Sequence, residues 1–212
     1  MTLGLPISWQ VNDVAVIGVL ARVSDTVATP SGWTLVTTVA SGSVAANAKL
    51  WVFRRVLTAS EPPVTVGAAT GESRISILVL RNVDAASPIA ASSASTAPTT
   101  LTTTVSATTI TAPANSVLLG LAGAANHALA GSFSSASGMT KWTSAADEAA
   151  LTAITPFYQG PTAGSSGAKS FTFTQTADLA AWLAALRLTT DTTGPLVSSL
   201  SASANQNSVY LT

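Results

Sequence analysis

Cysteine is absent from the 212 residues of this chain, and His127 is its single histidine. Without cysteine the fold has no disulfide framework, no thiolate nucleophile and no Cys-ligated metal. Charge is also scarce. Lys and Arg number nine, as do Asp and Glu, and these charged residues together make up 8% of the chain, against about 25% in an ordinary soluble domain. Nine scattered basic residues do not form the cationic surface that a phosphate backbone requires. The composition therefore predicts no binding of nucleic acid.

Long apolar runs are missing as well. The longest nearly continuous run covers residues 14–21 and is far shorter than the roughly 20 residues of a bilayer helix. The first ten residues lack the basic and apolar regions of a signal peptide. We therefore predict no membrane span. A disordered chain is excluded too, because hydrophobic residues reach 47% and the net charge is zero.

The chain is rich in strand pattern instead. Short segments of Val, Ile, Leu, Trp and Thr are separated by Gly, Pro, Ser and Asn clusters, which is typical of all-β proteins. The apolar run at 14–20 predicts a central strand covered on both faces, and the Ala/Ser/Thr-rich segment 85–111 predicts an extended crossover with one strand. A short helix is the alternative at 144–154, where Ser144 and Asp147 have the spacing of a capping box. The predicted strands are 13–20, 33–39, 49–56, 64–66, 75–81, 101–107, 116–123, 151–157, 169–174 and 181–188.

The sequence also resembles itself once along its length. Neither half has enough apolar area to fold alone, so the two sets of strands should share one core. This predicts a two-sheet, jelly-roll-like β-sandwich with an internal two-fold repeat. Four ordered pairs of segments match at offsets of 102 to 107 residues, namely 13–20 with 115–122, 31–34 with 137–140, 64–66 with 171–173, and 75–81 with 181–187.

The pattern predicts one β-sandwich domain over residues 1–188, with repeat halves at about 9–84 and 113–188. Residues 189–195 have the composition of a linker. Residues 196–212 resume the alternation, which predicts a docking strand or the start of a further domain outside the sandwich. In this extension five apolar residues are candidates for binding a partner: Leu196, Val197, Leu200, Val209 and Leu211.

Residues that could carry catalysis are few. His127 would have to serve any Ser-His-Asp triad, but it follows a predicted strand in a loop, which favours a solvent-exposed histidine. Asp147 and Glu148 are adjacent and point apart on either a strand or a helix, so this pair alone cannot supply the two facing carboxylates of a glycosidase. A partner for one of them could come from the carboxylates at predicted strand ends and turns, namely Asp13, Asp25, Glu61, Glu72, Asp84 and Asp178. We predict that the protein is not an enzyme and has no catalytic residue, cofactor or metal ligand set. One hypothesis of cation binding stays open, in which backbone carbonyls and Asp13 or Asp84 hold a calcium ion.

Tryptophan is the one aromatic residue that invites a binding hypothesis. Trp33, Trp51 and Trp182 lie in strand patterns, which favours the core, whereas Trp9 and Trp142 are less clearly placed. A groove that combined exposed Trp and Tyr with Asp or Asn would favour a lectin-like, carbohydrate-binding adhesion module.

Several phrases of the sequence are similar to those of a known module. Over about residues 9–188 the chain resembles a jelly-roll β-sandwich module of bacteriophage tail, fibre and capsid-surface (decoration) proteins, in which a further strand precedes the position of residues 10–13. Only residues 2–7 can supply that strand here. The phrases are Pro-Ser-Gly-Trp-Thr-Leu-Val at 30–36, Lys-Leu-Trp-Val-Phe-Arg-Arg-Val at 49–56, Glu-Pro at 61–62, Ile-Leu-Val-Leu-Arg-Asn-Val-Asp at 77–84, Pro-Ala-Asn-Ser-Val-Leu-Leu-Gly at 113–120, Gly-Met-Thr at 138–140 and Leu-Ala-Ala-Leu-Arg at 183–187.

The resemblance implies a function as well as a fold. It implies a non-enzymatic virion structural protein on the surface of the phage particle, either a tail or fibre protein or a capsid decoration protein. Such a protein assembles with other virion proteins, forms a homo-oligomer and can contact a glycan of the host surface. The resemblance transfers no catalytic residue. Two alternatives are the carbohydrate-binding adhesion module and a sandwich-fold glycosidase, and the glycosidase would need two carboxylates facing each other across a cleft.

Overall fold

Two β-sheets packed face to face form the part of the chain that the computed structural model describes, residues 2–5, 8–22, 26–41, 48–66, 73–125, 131–134, 136–142, 152–189 and 207–211. These residues contain no helix, and so none that could cross a membrane. The prediction of an all-β, two-sheet sandwich is therefore confirmed. The strands are β1 (Thr2–Leu3), β2 (Val14–Arg22), β3 (Thr34–Ala40), β4 (Ala48–Val56), β5 (Val64–Thr65), β6 (Arg74–Leu80), β7 (Ile89–Ala94), β8 (Thr102–Ala107), β9 (Thr111–Ala125), β10 (Thr140–Lys141), β11 (Thr152–Ser165), β12 (Lys169–Arg187) and β13 (Asn207–Leu211).

The first sheet has the strand order β13-β6-β2-β4-β3 and the second has the order β10-β11-β9-β12-β7. All pairs are antiparallel except β13 with β6, which is parallel. β8 pairs with the first part of β12, and β1 pairs with β5 in a separate two-stranded piece. The crossover at 85–111 thus contains two strands, β7 and β8, where one was predicted, and β12 is one strand where two were predicted.

The space between the sheets holds the central hydrophobic core. β2 contributes Val14, Val16 and Leu20 to this core, and its alternate residues face the opposite side, so the predicted central strand is confirmed. Glycine permits close approach of the sheets, since a Cβ on Gly123 of β9 would lie 2.6 Å from a methyl group of Leu20. The second sheet contributes Leu119, Leu121, Ile154, Trp182, Ala184 and Leu186.

The outer face of each sheet is covered as well, by a different cluster in each case. Trp33, Val64 and Val66 lie in the cluster outside the first sheet. Phe171 and Phe173, from the first part of β12, lie in the cluster outside the second. The 19-residue strand β12 therefore has two roles, because its first part covers the sheet in which its second part is a central strand.

The two sheets share one strand order. β6-β2-β4-β3 of the first sheet corresponds to β12-β9-β11-β10 of the second. The direction in which the side chains face, however, corrects the match of 13–20 with 115–122. At an offset of 102 Val16 aligns with Leu118, which faces outward. At an offset of 103 it aligns with Leu119, which faces the central core as Val16 does. The offset of 103 also aligns Asn12 with Asn115, which both have positive φ, 71° and 58°. An origin of the halves in one repeated sequence stays a prediction.

Candidate functional site

Two turns of the same conformation precede β3 and β10. The Trp33 N–H donates to the Pro30 carbonyl at 3.0 Å, and the Met139 N–H donates to the Ala136 carbonyl at 2.9 Å. The glycine before each donor has positive φ, 77° and 72°, a conformation that glycine adopts without steric cost. We call them the Ser-Gly turns, 30–33 and 136–139.

Each Ser-Gly turn receives a hydrogen bond from a cation. Arg55 Nη1 donates to the Ser31 carbonyl at 3.1 Å, and Lys169 Nζ donates to the Ser137 carbonyl at 3.1 Å. Arg55 lies on β4 and Lys169 on β12, so different strands of the two sheets supply the same interaction. Neither contact was predictable from local sequence spacing, because 24 and 32 residues separate the partners.

The first Ser-Gly turn forms one wall of a cleft of about 220 Å³. Arg55 is the cation of this cleft, and its Nη2 lies 2.8 Å from Glu61 Oε2. Glu61 in turn accepts hydrogen bonds from the Thr58 backbone and hydroxyl, at 2.6 and 2.9 Å. The guanidinium is therefore held by the protein's own groups. The lining residues are Pro30, Ser31, Trp33, Arg55, Pro62, Pro63, Val64 and Thr65.

The chemistry of this lining is that of a small, mostly apolar surface. The lining includes no carboxylate, amide or imidazole side chain, and sugar hydroxyls usually require such polar groups beside a stacking ring. Trp33 is only 8% exposed and offers little of its face. The cleft has neither a nucleophile–base pair nor two facing carboxylates, so its described residues provide no means of acid–base catalysis.

Lys169 is the most unusual charged group beside the second turn. The residue is 7% exposed, and this burial lowers the pKa of its ammonium group below the ordinary lysine value. A Cβ on Gly138 would lie 3.5 Å from Lys169 Nζ and 3.6 Å from Gln159 Oε1. The Gln159 oxygen is buried and accepts no hydrogen bond from the described residues. Lys169 thus holds the turn in place, with a neutral carbonyl as its acceptor.

The described carboxylates near turns serve structural contacts. Asp13 accepts the Gln10 N–H at 2.7 Å and forms an ion pair with Arg81 at 3.3 Å. Asp84 accepts the Ala86 N–H at 2.9 Å. The described residues contain no group of three or more His, Cys, Asp or Glu that could hold a metal ion. A calcium ion held by backbone carbonyls stays a prediction.

The structure brings part of the predicted partner-binding segment into the first sheet. Val209 and Leu211 lie on β13, opposite Leu78 and Leu80 of β6. This differs from the expectation that 196–212 lies outside the sandwich, because the edge of β6 pairs with the strand. Leu196, Val197 and Leu200 are outside the described residues. Binding of a partner by these five residues stays a prediction.

Several candidates from the sequence also lie outside the described residues. These include His127, Asp147, Glu148 and most of the ambiguous segment 144–154, whose last three residues belong to β11. The predicted linker 189–195 is described only at Thr189.

The three tryptophans that were predicted to lie in the core are buried. Trp33, Trp51 and Trp182 are 8%, 5% and 1% exposed, which confirms their place in the core. Trp142 is buried too and stacks on Tyr158 with ring centroids 4.1 Å apart.

No family model, curated protein or solved structure matches this chain.

Proposed function

We propose that this chain is a non-enzymatic bacteriophage virion structural protein, exposed on the tail or capsid surface and assembled with other virion proteins. The observation that supports it best is the place of the residues that carry the resemblance. Pro30 and Trp33 close the first Ser-Gly turn, and Glu61 forms an ion pair with Arg55. These phrases form parts of the sandwich framework, as expected if the module has a structural role.

The exposed surface also suits a structural role. On the outer face of the strand pair β8–β12 that covers the second sheet, the hydroxyl groups of Ser106 and Ser170 lie 2.7 Å apart, and those of Thr104 and Thr172 lie 3.3 Å apart. All four residues are exposed. Hydroxyl pairs of this kind provide a neutral, hydrated surface, which explains how a chain with 8% charged residues covers its outer layer.

The test is the location of the protein in the host culture. Phage particles would be purified by density gradient and analysed by mass spectrometry, and antibody-labelled particles would be imaged by electron microscopy. We expect the chain at a fixed copy number in the particle and label at one position on its surface. A non-virion phage protein serves as the control for carry-over. Recovery of the chain only from the soluble lysate would overturn the proposal.

A further inference from the structure

β13 occupies an unusual position in the first sheet. It pairs with one strand only, β6, and runs parallel to it, from Asn207 opposite Ser76 to Leu211 opposite Leu80. β6 needs a neighbour at this edge, because six of its seven residues are buried and none of those six is charged. In the second sheet the equivalent edge of β12 is covered by β7 in antiparallel pairing.

The path of the chain to β13 sets a geometric requirement. The chain leaves β12 beside the C-terminal end of β6, since the Thr189 N–H donates to the Asn82 carbonyl at 2.8 Å. A parallel strand must begin at the other end of β6, about six residues or 20 Å back. The 17 residues 190–206 connect these points. A random coil of 17 residues has a root-mean-square span of about 23 Å, which is close to this distance, so the number of residues allows closure within one chain.

We propose that β13 is an exchangeable edge strand, which pairs with β6 of its own chain at low concentration and with β6 of a second copy where copies are crowded. The same backbone hydrogen bonds form in both arrangements, so exchange loses none of them. The contact would be heterologous, because β13 of one copy meets β6 of the next, and it would generate rings or filaments. The inference goes beyond the virion assignment and does not depend on it.

Concentration decides between the two arrangements. A tether that is long enough to span the two points gives an effective concentration in the millimolar range. At about 10 µM protein the exchanged form is therefore expected at about 1%, whereas at millimolar local concentration it becomes comparable to the closed form. A dilute solution should contain monomers, and an assembly that holds copies together should contain exchanged strands.

Shortening the connection provides the sharpest test. Deletion of residues 192–206 leaves two residues between Thr189 and Asn207, which reach at most about 11 Å, half of the required distance. Closure within one chain is then impossible, so size-exclusion chromatography with light scattering should show dimers or larger species at about 50 µM, where the full chain is more than about 90% monomer.

Two matched variants complete this test. Replacement of 190–206 by 17 Gly and Ser residues should stay monomeric, and deletion of 192–212, which also removes β13, should return the shortened chain to a monomer. Far-UV circular dichroism and a thermal melt confirm that each variant is folded. The proposal is wrong if the 192–206 deletion stays monomeric while folded, or if its oligomers persist without β13.

Disulfide trapping tests the unaltered connection, since every thiol in this cysteine-free chain would be an introduced one. Val79→Cys and Tyr210→Cys variants, one with a mass tag, would be mixed at millimolar concentration and oxidised. Because these residues are register partners, we expect a cross-linked heterodimer. Ile75→Cys with Tyr210→Cys is the control pair, about 13 Å out of register. Equal cross-linking of both pairs, or of neither, would contradict strand exchange.

Discussion

The two sheets have the same strand order but cover their outer faces in different ways. Outside the first sheet, Trp33 and the short strand β5 pack on β2 and β4. Outside the second, the first part of β12 packs Phe171 and Phe173 on β9 and β11. One topology thus admits two solutions to covering a hydrophobic sheet, because a covering strand needs only apolar residues of the right spacing on its inner side.

The halves also differ inside the central core. At an offset of 106 residues Trp182 of β12 corresponds to Ser76 of β6, and both are at most 1% exposed. The indole ring of Trp182 fills more of the central core than the hydroxymethyl group of Ser76. The second sheet should therefore contribute more to the free energy of unfolding. The following predictions test this asymmetry between the halves.

The largest effect on stability is expected at Trp182 and Ser76, which occupy corresponding positions in the two sheets. Trp182→Ala should lower the free energy of unfolding by about 3–5 kcal/mol, because it removes a fully buried ring and leaves a cavity. Ser76→Ala should change it by less than about 1 kcal/mol, since the buried Ser76 hydroxyl has no hydrogen-bond partner among the described residues. Urea unfolding followed by far-UV circular dichroism measures both, with Trp182→Phe as the milder variant. Equal losses would show that the two positions are not packed differently.

The second largest difference in stability loss is expected between the residues that cover the outer faces of the two sheets. Phe171→Ala should cost about 3 kcal/mol, because the Phe171 ring lies 4.9 Å from the Phe157 ring and packs over Gly120. Val64→Ala, at the corresponding position outside the first sheet, should cost about 1.5–2 kcal/mol, in proportion to the smaller apolar surface. The measurement is the same urea titration. A larger loss for Val64→Ala would mean that the first sheet depends more on its cover than the second.

A smaller effect is expected at Asp13, directly before β2, and at the corresponding residue within β9. Asp13→Ala should cost about 2 kcal/mol, because it removes the acceptor for Gln10 and leaves the partly buried Arg81 without its carboxylate. Ser116→Ala, at the corresponding position of β9, should be nearly neutral, since its buried hydroxyl bonds to no described residue. A double-mutant cycle of Asp13→Ala with Arg81→Ala should give a coupling energy of about 1 kcal/mol or more. No coupling would mean that the ion pair contributes nothing.

The smallest effect concerns pH and the second Ser-Gly turn. Burial lowers the pKa of Lys169, so the native chain releases this proton at a lower pH than the unfolded chain. Between the lowered pKa and the ordinary lysine pKa near 10.5 the unfolded state binds more protons, and stability should rise with pH in that window. Lys169→Met should abolish this rise.

Chemical unfolding at a series of pH values from 8 to the ordinary lysine pKa measures this slope. Lys141→Met is the matched control for removal of a lysine that donates to a carbonyl near the same turn, at Phe133. A slope that persists in Lys169→Met would assign the pH dependence to another group.

Strand existence was predictable where the local pattern is strong. The apolar run at 14–20 predicted β2 as a central strand, and the structure places β2 between β4 and β6. β7 was not predicted, because Ile-Ala-Ala-Ser-Ser-Ala has little apolar alternation. This segment becomes a strand because the edge of β12 offers backbone partners, and those partners lie 88 to 97 residues away in the chain.

The site was less predictable than the fold. The two Ser-Gly phrases were visible as a repeat, and glycine at each indicated a turn. The cations that bind their carbonyls were not visible, because Arg55 and Lys169 come from strands that do not correspond in the two halves. Such contacts depend on which side chains the fold brings to a turn, and no local spacing encodes them.

Composition and period-2 alternation by themselves determined that this chain is an all-β protein with a shared core, without disulfides or Cys-ligated metal. These properties follow from which residues are present and from the alternation of side chains across a strand. Only the tertiary structure decided which face of each strand meets the other sheet, and it corrected the match of 13–20 from an offset of 102 to 103. A shift of one residue moves every side chain of a strand to the opposite face, so register is settled by packing between strands. For the same reason the place of β13 beside β6 depends on the open edge of β6 and not on the alternation of the tail itself.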